Sequence, residues 1–68
     1  MSLVSYLGQH RKIAGLTQAQ LAEAVGVSRK TINTVENQVF IPSTLLALKL
    51  AQALDLKVED LFALEDGL

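Results

Sequence analysis

The residues with the most chemistry to offer lie in one stretch, TQAQLAEAVGVSRKTINTVEN, from Thr17 to Asn37. Arg29 and Lys30 stand side by side in it, and Asn33 and Thr34 follow about one helical turn later. A guanidinium and an ammonium carry only donors, so the pair suits an anionic partner. Catalysis finds no comparable set. The chain has one histidine, His10, and no cysteine. It shows no Ser/His/Asp combination, glycine-rich phosphate loop or metal-ligand spacing, so no enzyme, cofactor or metal is expected. His10 reads as a half-buried helix residue. Glu59 and Asp60 read as acids favoured near the start of a last helix, not as a catalytic carboxylate pair.

Those cations need elements to hold them, and helical periodicity dominates the chain, with no segment alternating as a strand. Helices are predicted over about 3–14, 17–25, 28–36, 43–54 and 58–63. Leu3, Leu7 and Ala14 mark the first apolar stripe, which Gly15 ends. Thr17 is an N-cap whose capping box is completed by Gln20, and Gly26 stops that helix. Ser28 caps the third helix, and Ser43, after Pro42, caps the fourth. The tail from Glu65 to Leu68 reads as frayed, and residues 1–3 receive little weight.

Spacing within the central stretch is restrictive. Counting from Gln18, Ala22 is fifth, Gly26 ninth and Ile32 fifteenth, while Leu21, Val25, Val27 and Val35 fill the fourth, eighth, tenth and eighteenth places. A small Ala22 lets the next helix cross closely, and Gly26 supplies the positive φ of a sharp break. The apolar residues then fix two helices at a steep angle. This is a helix-turn-helix pattern, in which the second helix enters the major groove of DNA.

Composition sets bounds around that motif. A chain of 68 residues makes one domain, and 50% hydrophobic residues is rich for so short a chain, so surplus apolar surface and self-association are expected. No apolar run reaches the length of about 18 residues that a membrane span needs, and no secretory signal is evident, so a cytoplasmic location is expected. The net charge of −1 conceals an asymmetry: residues 1–34 carry +3 and residues 35–68 carry −4. The half that holds Arg29 and Lys30 is the basic one.

LTQAQLAEAVGVSRKTINTVEN, then P-S, LKLAQALDL and EDLF resemble the lambda-repressor-like, or Cro/XRE-type, DNA-binding domain over roughly residues 7–62. The resemblance implies an all-α, compact five-helix fold with the helix-turn-helix at helices 2 and 3. It implies a prokaryotic or phage transcriptional regulator, foremost a repressor, that binds a pseudo-palindromic operator as a homodimer. Gln18 would then meet a phosphate, while Arg29, Lys30, Asn33 and Thr34 would face base edges or sugar-phosphate. Ser28 and Asn37 would contact the backbone. Arg11 and Glu36 match positions that form an internal ion pair.

Some residues depart from the family's pattern. Gln38 stands where glycine is common, Val39 where a cation often follows, and Ile41 where a polar residue is usual. His10 replaces a usual leucine, and Leu45 and Leu48 make the fourth helix more apolar. The expected dimer surface is Leu56, Val58, Leu61, Phe62 and Leu64. An alternative reading is an antitoxin or other protein-interaction module, docking its partner on Val39-Phe40-Ile41 and Leu45.

Overall fold

The computed structural model describes residues 2–65. Its order is β1 (Ser2–Ser5), α1 (Leu7–Ile13), α2 (Gln18–Val25), α3 (Arg29–Glu36), α4 (Thr44–Leu54), α5 (Val58–Leu61) and β2 (Phe62–Glu65). The five-helix architecture is the expected one, with a strand pair added to it.

Local chemistry starts three of the helices where it was read. Thr17 Oγ1 accepts from Gln20 N–H at 3.1 Å and Gln20 Oε1 accepts from Thr17 N–H at 2.8 Å, a complete capping box. Ser28 Oγ accepts from Thr31 N–H at 3.1 Å, and Ser43 Oγ accepts from Leu46 N–H at 3.1 Å. Each bond satisfies one of the donors that a helix start leaves without a partner. Asp60 serves the last helix, its Oδ2 accepting from Lys57 N–H at 2.9 Å. Gly26 ends α2 in the left-handed region at φ 77°, as the turn requires.

Leu7, Leu21, Ile32, Leu50 and Leu61 are fully buried, and Val35 nearly so. One side chain comes from each helix, with α3 giving two, so a single core is shared by all five. Ala22 and Val25 of α2 join it, and α2 packs on both α3 and α4. Ala51, also small and buried, serves α4 in the same way.

The ends of the chain correct the sequence reading. The first helix begins at Leu7, not residue 3, and the last stops at Leu61. Ser2–Ser5 and Phe62–Glu65 pair as antiparallel strands, with Leu3 opposite Leu64 and Ser5 opposite Phe62. Each strand has four residues, too short for alternation to stand out from a helical stripe. What makes them strands is a partner some sixty residues away, which no local pattern announces. Glu65, expected in a frayed tail, is in β2, where its Oε2 accepts from Ser2 Oγ–H at 2.7 Å. Residues 66–68 of that tail lie outside the described residues. Ala14, expected on the buried stripe, is exposed just past the end of α1.

Leu61 and Phe62 also depart from expectation. Both are buried in the protein's own core, because β2 turns Phe62 inward as it pairs with β1. They cannot supply the outward surface assigned to them, whereas Leu56 and Val58 are half-buried against the core and Leu64 is exposed.

Gly26 allows a clean test of the turn. A Cβ placed there meets nothing within 4 Å, so only the backbone conformation resists it. Gly26→Ala should destabilise the fold by about 1–2 kcal/mol, the cost of left-handed backbone for an L-residue. Urea denaturation followed by circular dichroism would measure it.

Candidate nucleic-acid interface

The interface rests on a buried pair. Arg11 Nε donates to Glu36 Oε2 at 2.6 Å and its second terminal nitrogen donates to Oε1 at 3.2 Å, a two-pronged bond between α1 and the last residue of α3. Arg11 Nη1 donates to Leu16 C=O at 2.8 Å, binding the α1–α2 turn as well. Both side chains are about nine-tenths buried. Charges so placed are costly unless their hydrogen bonds are made, and here four donors serve the pair, three on the Glu36 carboxylate and one on Leu16 C=O.

The fourth donor is Gln18, whose Nε2 gives a hydrogen bond to Glu36 Oε1 at 3.1 Å. Gln18 is therefore tied to the end of α3, and one amide hydrogen remains for an outside acceptor. Gly8 completes the arrangement. A Cβ at that position would stand 3.1 Å from Glu36 Oε1, so glycine is what lets α1 lie close beside the carboxylate. Sequence reasoning found the Arg11–Glu36 pair but missed both Gln18's part in it and Gly8, since neither has a local signature.

With α3 fixed, its outer side is open. Ile32 and Val35 face the core, which turns Lys30, Asn33, Thr34 and Asn37 outward at i, i+3, i+4 and i+7. Arg29 projects from the first turn. Arg29, Lys30 and Asn33 are exposed, and among the described residues their side chains make no hydrogen bond or ion pair. The remaining predicted contacts are more committed. Ser28 Oγ is occupied as the cap and lies 2.9 Å from Thr31 Oγ1. Thr34 is half-buried, and its Oγ1 donates to Thr31 C=O at 2.9 Å. Asn37 Nδ2 donates back to Asn33 C=O at 2.9 Å. These three brace α3 and its ends, and would meet an outside partner with the hydrogen-bonding capacity left over.

Gln38 also follows a physical rule. Its φ is 61°, the left-handed conformation in which glycine is comfortable, and its Oε1 accepts from Ser5 N–H at 3.0 Å. A long side chain is kept there because it caps β1. Immediately beyond, Val39 and Phe40 line a shallow groove with Lys30, Thr31 and Thr34. Their position flanking the α3 surface was not evident from the sequence.

A cation-tipped helix, braced by a buried ion pair and reached through a left-handed glycine turn, is the geometry of major-groove insertion. A helix-turn-helix family model matches residues 7–61. The chain belongs to the Cro/XRE-type helix-turn-helix family of DNA-binding regulators. It is 51% identical over 61 residues to an uncharacterized HTH-type transcriptional regulator of Methanothermobacter thermautotrophicus, covering 87% of this chain and 88% of that one. It is 46% identical over 52 residues to the uncharacterized HTH-type transcriptional regulator YgzD of Bacillus subtilis, covering 76% and 79%. In structure it resembles the restriction-modification controller protein C.AhdI from Aeromonas hydrophila, with TM-score 0.75, 35% identity, and coverage of 79% of this chain and 82% of that one. No described helix is long and apolar enough to cross a membrane.

The bracing role of the ion pair gives a second expectation. Glu36→Ala leaves the Arg11 guanidinium buried without its counter-charge, and should cost about 3–5 kcal/mol. In so small a domain that is much of the total stability. Thermal melts should show a strongly lowered midpoint, and a midpoint within a few degrees of the parent's would refute the role.

Proposed function

We propose that this protein is a transcriptional repressor that binds a pseudo-palindromic operator as a homodimer, α3 of each copy entering one major groove. Its action is occupancy, not catalysis. The observation that carries the reading is that Arg29, Lys30 and Asn33, at the exposed tip of a rigidly held helix, have no side-chain partner among the described residues.

Roles divide by chemistry. Arg29 carries the planar fork that matches O6 and N7 of guanine. Lys30, a compact charge on a flexible stem, is suited to phosphate oxygens. Asn33 offers a donor and an acceptor to a base edge. Gln18, at the N-terminus of α2 and oriented by Glu36, directs its remaining amide hydrogen toward a phosphate. One copy offers too few contacts for useful specificity, and a two-fold pair presents recognition helices about 34 Å apart, one turn of the duplex.

Repression is favoured over activation by the state of Glu36. An activator needs a surface for the transcription machinery beside the bound DNA, and Glu36 is the acid on α3 itself. Its carboxylate is buried and bonded to Arg11 and Gln18, so it offers no such face.

Selecting bound duplexes from random DNA should return a two-fold repeat. On that sequence, Arg29→Ala should lose roughly 1–3 kcal/mol and relax preference at one base pair per half-site. Lys30→Ala should weaken all sequences alike and reduce the dependence of affinity on salt, as loss of a phosphate contact requires. Binding unchanged by both substitutions would overturn the reading.

A further inference from the structure

We propose that Val39 and Phe40, together with the adjoining side of α3, form an apolar notch that reads the C5-methyl group of a thymine. The proposal rests on the DNA-binding reading above and adds specificity at a base pair that the polar side chains do not read.

Val39 and Phe40 are 78% and 48% exposed. Their N–H groups donate to Thr34 C=O at 2.9 and 3.2 Å, so the loop folds back along α3 instead of leaving it. The two side chains thereby line a shallow groove with Lys30, Thr31 and Thr34. Lys30 and Thr34 belong to the outward row of α3, so the groove opens beside the residues offered to DNA. Its walls are held in place. Gln38, immediately before Val39, is secured by its bond to Ser5 N–H at 3.0 Å. A preorganised surface of this kind loses little freedom when a ligand arrives.

The chemistry of the groove selects its ligand. Thr34 Oγ1 donates to Thr31 C=O at 2.9 Å, and Thr31 Oγ1 lies 2.9 Å from Ser28 Oγ. Both hydroxyls are thus engaged within α3, and little hydrogen-bonding capacity is left for an occupant. Val39 and Phe40 carry neither a charge nor a side-chain donor, so they hold no phosphate. Lys30 contributes an aliphatic stem and carries its ammonium to the rim. Such a surface does not distinguish one donor and acceptor pattern from another. On the base edges of the major groove one group is apolar, the C5-methyl of thymine. That methyl stands out from the edge, needs no hydrogen bond, and fits a notch too shallow for a whole base. Lys30 is the one charged residue lining the groove, and its sign suits the phosphates that flank the methyl.

The full chain is tested on the duplex it selects from random DNA. Each thymine of one half-site is replaced in turn by deoxyuridine, which removes the methyl and keeps pairing, sugar and phosphate. At one position, or two adjacent ones, affinity should fall about fourfold, as loss of one buried methyl-sized group requires. Val39→Ser and Phe40→Ala should each shrink the ratio of thymine to deoxyuridine affinity, and the double variant should bring it to unity. Circular dichroism should show unchanged helix content. Val39→Ser, at the more exposed site, decides the matter alone if Phe40→Ala lowers the thermal midpoint. Ile13→Ser, exposed on α1 and lining no part of the groove, should keep the parent's ratio. No loss at any thymine would overturn the proposal, and a loop that merely rests on deoxyribose would give that result. So would a ratio that survives in the double variant, or one lost equally in Ile13→Ser. Any of these results, with the effects of Arg29→Ala and Lys30→Ala intact, defeats this inference alone. A chain that binds no duplex defeats the proposed function, and this inference with it.

Discussion

The contact on which the rest depends is the buried Arg11–Glu36 pair. Glu36 is the last residue of α3, and through it that helix is fixed to α1 and to the beginning of α2. Apolar packing alone sets α3 against the core but is not directional. A two-pronged guanidinium–carboxylate bond is directional, and it acts at the end of the helix where a small rotation would swing the exposed tip furthest. The buried charges are a poor source of net stability, but they make misregistered packings expensive, since any shift strands a charge. Gly8 belongs to this device. It contributes no side chain, and a Cβ in its place would press on the Glu36 carboxylate at 3.1 Å.

The tip of α3 obeys a complementary rule. The residues that brace the helix, Ser28, Thr34 and Asn37, spend hydrogen bonds on its own backbone. Among the described residues Arg29, Lys30 and Asn33 spend none, which leaves their donors open to a partner. For the two cations the division follows from geometry: the short side chains of Ser28, Thr34 and Asn37 reach the nearby backbone, while the long ones of Arg29 and Lys30 favour solvent or an anion. Rigid support and free chemistry are thus separated on one helix of eight residues.

How much was legible in the sequence depended on how local the cause was. Thr17, Ser28, Ser43 and Gly26 act on residues within a turn of themselves, and their caps and break were read correctly. The ion pair spans 25 positions and was reached through family resemblance, not through periodicity. The strands were missed altogether, because Ser2–Ser5 becomes extended only against Phe62–Glu65. That omission produced the error over Phe62. Read as the end of a helix it belonged to a surplus apolar surface, but as a strand residue opposite Ser5 it enters the core. Gln38 illustrates the same limit. The departure from glycine was visible, and the reason for it, a bond to Ser5 N–H, lies 33 residues away.

Residues 37–41 join three functions in five positions. Asn37 closes α3, Gln38 secures β1, and Val39, Phe40 and Ile41 present apolar surface. The left-handed backbone at Gln38 reverses the chain there, so α3 ends and the apolar segment turns aside within one residue. The NH groups of Val39 and Phe40 both return to Thr34 C=O, which keeps the segment folded against the helix that it leaves. A conformation strained by about 1 kcal/mol in an L-residue is retained because its side chain completes the strand pair. The cost is offset by joining the terminal strands to the end of α3. The apolar segment and the cationic tip then belong to one rigid unit.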